Sequence, residues 1–62
     1  MTKQELDQHL QALVGPKLIE QWWDSPNRYW GGYTPQYIYD RDERGRKEVE
    51  DYIIKYSYGD YS

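Results

Sequence analysis

The stretch Pro26-Asn27-Arg28-Tyr29-Trp30-Gly31-Gly32-Tyr33-Thr34-Pro35 decides how this chain folds. Two prolines bracket it and a Gly-Gly pair sits inside it. Proline fixes the backbone and glycine releases it, so this is a shaped loop and not a solvated linker. Tyr29, Trp30 and Tyr33 each bring a large apolar area and one polar handle. A loop that holds three such rings must bury them under the domain or show them to a partner. The segments on both sides of it read as helices.

Upstream, Thr2 and Glu5 form a T-x-x-E capping box, which predicts a helix start. Leu6, Leu10, Leu13 and Val14 follow at helical spacing, giving a first helix over Lys3 to Val14. Gly15 stops it, and Pro16 suits the first position of a second helix running to about Asp24. Leu18, Ile19, Trp22 and Trp23 make its apolar face through the pairs Leu18–Trp22 and Ile19–Trp23. One tryptophan is expected to anchor the core; the other lies about 100° round the helix, at a rim or contact position. Pro26 disfavours helix at Ser25 and closes the element. His9 falls off the apolar stripe and reads as a surface residue.

Downstream, Thr34 at N-cap with Pro35 at the first position predicts a short helix to about Tyr39 with Ile38 inward. Asp40 to Gly45 reads as a charged turn, with Gly45 as N-cap and Glu48 at N3 of a last helix. Val49, Tyr52, Ile53 and Tyr56 form that helix's buried face. Asp51 and Lys55 are spaced for an i, i+4 ion pair, and Gly59 can end the helix. No strand-like alternation or internal repeat is present. The expectation is a single small all-α domain over residues 1–62, a compact bundle of three to four short helices.

Composition narrows function. A chain of 62 residues buries only about 60% of its unfolded surface. It has no cysteine and one histidine, which leaves no thiolate metal site and few metal or triad arrangements. Phe is absent while Tyr numbers eight and Trp three, so part of this aromatic area must lie at the surface, where Tyr and Trp favour interface centres. The net charge is −3, and the basic residues Arg41, Arg44, Arg46 and Lys47 alternate with acids. That argues against direct nucleic-acid binding, and no continuous acidic face supports DNA mimicry. With neither a signal peptide nor a membrane-length apolar run, the expected location is cytoplasmic.

Chemical constellations are weak. Asp40-x-Asp42-x-Arg44-Gly45-x5-Asp51 overlaps a calcium loop, but Arg44 stands where an oxygen ligand belongs and Asp51 replaces the bidentate Glu. The carboxylate pairs Asp40/Asp42 and Glu48/Asp51 fall on helix surfaces, without the pocket that acid–base work requires. Nothing places His9 beside Ser25 or Ser57. The expectation is no catalytic residue, no metal and no cofactor.

Taken in order, the chain offers Trp22-Trp23 ending a helix, Pro26-Asn27, Gly31-Gly32, Thr34-Pro35, Glu48-Val49-Glu50 opening a helix, and Tyr58-Gly59. This ordered set resembles the toxin-binding domain of the Xre/MbcA/ParS antitoxin family, from about Leu13 to Ser62. The resemblance implies a small helical domain that neutralises a partner toxin, commonly a RES-domain enzyme that degrades NAD, with its C-terminal end near the toxin's active site. Tyr58, Gly59, Asp60, Tyr61 and Ser62 then become partner-contact residues. Pro26, Asn27, Gly31, Gly32, Thr34 and Pro35 become loop framework. Family antitoxins carry an N-terminal helix-turn-helix for which this sequence has no room. Aromatics at Tyr29, Trp30, Tyr37 and Tyr39 also replace smaller residues.

The reading is therefore a non-enzymatic binding module that inhibits a protein target, a toxin or a host enzyme, in the manner of a phage-encoded inhibitor. Trp30, Tyr33 and Tyr58–Ser62 are its expected contacts. Alternatives are a small assembly protein that forms homo-oligomers, and an acidic inhibitor of a nucleic-acid enzyme.

Overall fold

The first helix, α1 (Lys3–Val14), opens on a complete capping box. Thr2 Oγ1 accepts from the Glu5 backbone N–H at 3.2 Å, and Glu5 Oε1 accepts from the Thr2 backbone N–H at 2.9 Å. The Thr2 backbone N–H first, and then its hydroxyl, which also donates to Glu5 Oε1 at 3.2 Å, hold the Glu5 carboxyl below its ordinary value near 4.5. Gly15, at φ 84°, ends α1 by donating to the Gln11 carbonyl. The computed structural model describes residues 1–57. The expected helix stop at Gly59 and the contact residues Tyr58, Gly59, Asp60, Tyr61 and Ser62 lie outside the described residues.

The second helix departs from expectation at its start. Pro16–Leu18 forms a 3₁₀ turn, and only Ile19–Asp24 is α-helix, α2. The tighter turn rotates Leu18 off the apolar stripe, and it is 49% exposed. Trp23 is the buried anchor: its indole N–H donates to Asp7 Oδ1 at 2.8 Å, and the Lys3 ammonium lies 4.6 Å from its ring centroid. Trp22 is half-buried at the rim. His9 is half-buried as well, not a fully exposed residue.

Thr34 caps α3 (Pro35–Arg41), its hydroxyl accepting from the Tyr37 N–H at 3.1 Å. The charged turn shrinks to one extended residue, Asp42, before α4 (Glu43–Ser57). Asp42 Oδ1 accepts from the Gly45 N–H at 2.7 Å, so Asp42 caps α4 and Gly45 sits within its first turn. The expected Gly45 cap is thus corrected by one turn. Gly45 has a different task. It is buried where α3 and α4 cross, and a Cβ there would collide with the Ile38 carbonyl and stand 3.1 Å from Asp42 Oδ1. Asp51 and Lys55 do not pair; Lys55 Nζ lies instead 5.6 Å from the centroid of the Tyr56 ring.

Leu6 and Leu10 of α1, Trp23 of α2, Ile38 of α3, and Val49 and Ile53 of α4 form one buried cluster. α4 is its spine, packing chiefly against α3 and α1. The described residues are thus an all-α bundle of four short helices. None of these helices is long and apolar enough to cross a membrane.

Candidate protein-interaction surface

The Pro26–Pro35 loop closes on Asn27. Its N–H donates to the Tyr33 carbonyl at 3.0 Å, and its own carbonyl accepts from Trp30 N–H at 3.1 Å and Gly32 N–H at 3.0 Å. Its side-chain Oδ1 accepts from Tyr29 N–H at 2.9 Å and so caps a short 3₁₀ turn over Arg28–Trp30. Gly31 follows at φ 65° and Gly32 at φ 96°, conformations that side chains disfavour. Thr34 and Pro35 then launch α3. Pro35 is buried and Pro26 exposed.

This frame aims Tyr29 and Trp30 at α4. The Tyr29 ring lies 4.8 Å and the Trp30 ring 5.1 Å from that of Tyr52, centroid to centroid. Tyr29 and Trp30 meet edge-on at 5.0 Å. Trp22 extends the group, 6.4 Å from Trp30 and 6.1 Å from Tyr52. Tyr56, one turn on along α4, stands 4.7 Å from Tyr52. Five rings from α2, the loop and α4 therefore form one connected surface. Tyr29 is 61% exposed while the other four are half-buried. Beside Trp22 opens a shallow groove of about 210 Å³ lined by Val14, Leu18, Gln21, Trp22 and Ser25.

Trp30 carries an unmet demand. Its Nε1–H is buried and has no hydrogen-bond partner among the described residues. A buried donor left unpaired costs about 1–3 kcal/mol. Tyr33 turns the other way: it is 56% exposed and stacks at 5.0 Å and 18° on Tyr37, itself 50% exposed.

Of the contact residues expected from sequence, Trp30 joins the ring surface and Tyr33 belongs to the separate stack on α3. Trp22 fills the rim or contact position expected for one of the two tryptophans, and Tyr29, Tyr52 and Tyr56 complete the surface without having been named as contacts. Tyr52 and Tyr56 share the helical stripe of Val49 and Ile53, which reads as core; their half-exposed position depends on how far the loop reaches. The exposure of Leu18 had a usable signal in Gly15-Pro16, a pair that favours a tight turn.

Among the described residues no group of three or more His, Asp or Glu is placed to hold a metal ion. Asp42, a ligand position in the partial calcium loop, is engaged in capping α4. Comparison with family models, curated proteins and solved structures returned no match. The geometry defines a small helical bundle that carries an aromatic surface built from α2, the Pro26–Pro35 loop and α4.

Proposed function

We propose that this chain is a non-enzymatic cytoplasmic binding module that inhibits or neutralises a partner protein, in the manner of an antitoxin. The observation that carries the reading is the connected ring surface of Trp22, Tyr29, Trp30, Tyr52 and Tyr56 with the unpaired indole N–H inside it. Half-buried Trp and Tyr beside a groove are the residues that dominate binding energy at protein interfaces. The ordered Pro-Asn, Gly-Gly and Thr-Pro elements give the antitoxin family as the source of the frame, and a RES-domain toxin as the first target to test.

The test is co-expression with a RES-domain enzyme that degrades NAD. The wild-type chain is expected to restore growth and cellular NAD, and Trp30→Ala to lose that protection while helical circular dichroism persists. NAD that falls equally with and without the chain overturns the antitoxin reading. Sedimentation that shows a dimer abolished by Tyr29→Ala would assign the surface to self-association instead.

A further inference from the structure

We infer that the ring surface receives an acidic segment studded with apolar side chains, supplied by the partner protein. The inference rests on the surface being a protein contact and adds the chemistry of what it contacts. It follows from where the charges of the chain go. Glu5 is spent in the α1 cap, and Asp40 accepts from Gln36 Nε2 at 2.7 Å. Arg41 holds Asp42 at 3.4 Å and Glu48 at 3.8 Å. Asp7, Glu20 and Asp24 line one depression together with Lys3. Glu43, Glu50 and Asp51 line another together with Arg44, Arg46 and Lys47, and Glu50 Oε2 also pairs with the Met1 ammonium at 2.9 Å.

The acids of residues 1–57 thus lie in a helix cap, a side-chain hydrogen bond, an ion pair or one of the two depressions, and Lys3, Arg41, Arg44, Arg46 and Lys47 lie among them. Lys17, Arg28 and Lys55 are left. All three are exposed, and none lies in either depression. Arg28 and Lys55 adjoin the ring surface, and Lys17 neighbours it in sequence. Lys17 precedes Leu18 at the groove, Arg28 shares the 3₁₀ turn of Tyr29 and Trp30, and Lys55 lies over Tyr56. The groove itself is lined by no charged residue. A chain with net charge −3 thus presents a locally positive rim around apolar rings. Complementary charge at a rim selects the partner and speeds encounter, while the apolar centre supplies the affinity.

The probes are two synthetic peptides, one alternating Glu with Leu and one alternating Lys with Leu, titrated into the full chain. The Glu-Leu peptide is expected to shift the Trp30 indole N–H resonance saturably, and the Lys-Leu peptide to leave it in place. The double variant Arg28→Glu, Lys55→Glu should weaken Glu-Leu binding by about tenfold or more, with an unchanged melting curve. Arg28→Gln with Lys55→Gln should give a smaller loss, which serves as the measurement if the charge reversal disturbs folding. Equal response to both peptides, response to neither, or indifference to both variants overturns the inference. Toxin neutralisation that survives charge reversal would remove the acidic partner and leave the proposed function standing. A selective peptide response without any neutralisation would do the opposite.

Discussion

Leu10 and Tyr52 occupy two sides of one bundle that are built on different terms. Around Leu10, the aliphatic side chains of Leu6, Val49 and Ile53 are closed from water, as is the neighbouring Ile38. Around Tyr52, the rings touch one another yet keep part of their area in solvent. The first region has no polar atom to satisfy and gains from burial alone. The second holds polar tips, a groove and an indole donor without a partner. The difference separates the aliphatic cluster closed from water from the rings left partly open at the surface.

The strongest way to break that division is Leu10→Ala. A buried leucine truncated to alanine costs about 2–5 kcal/mol, against a total stability of roughly 3–9 kcal/mol for a chain this long. Thermal melts should show most of the folded population lost near 37 °C. A drop of only a few degrees would mean that the rings, and not the aliphatic cluster, hold the bundle.

Next comes Gly45→Ala. A methyl placed on the Ile38 carbonyl forces α3 from α4, at about 1–3 kcal/mol for overpacking. Chemical denaturation would measure it. A neutral or stabilising result, as expected for alanine in an ordinary helix interior, would show that the two helices do not cross this closely.

Asp42→Ala is smaller, about 1 kcal/mol, the usual loss of an N-cap. The equilibrium unfolding midpoint should fall accordingly, while binding at the ring surface is unaffected. If Gly45 were the cap, this substitution would have no effect.

The smallest effect is the pH dependence of the α1 cap. Glu5 has a folded value depressed below its ordinary 4.5, so the stability it contributes is complete above pH 4.5 and is lost as pH falls through the folded value. Glu5→Gln, which removes the titrating carboxyl, should flatten this part of the acid limb of the melting temperature against pH. An identical limb in both proteins would place the acid sensitivity in other carboxylates.

Much of the fold was legible because local rules and packing agreed. Thr2 with Glu5, and Thr34 with Pro35, mark helix starts that capping chemistry alone determines. The spacing of Leu6 with Leu10 and of Val49 with Ile53 marks faces that burial then confirms. The misplaced start of α4 shows where this stops. Gly45 and Asp42 both qualify as caps, and the choice falls to the Ile38 carbonyl, a tertiary neighbour that spacing does not reveal. The ring surface was half legible for the same reason. Trp30 stands out in its loop, but Tyr52 and Tyr56 carry the same stripe as true core residues. Their partial exposure depends on how the loop lies against α4.

Asn27 has a consequence for how this surface could change over generations. The four hydrogen bonds around it run to backbone atoms of residues 29, 30, 32 and 33, so none depends on the identity of the side chains there. Glycine is favoured at 31 and 32, yet Tyr29 and Tyr33 are exposed and can be exchanged without reshaping the turn. The loop is a fixed socket with replaceable bits. A lineage under pressure from a changing target can re-tool positions 29 and 33 one at a time, and a laboratory library confined to these two codons would sample new partners without sampling unfolded chains.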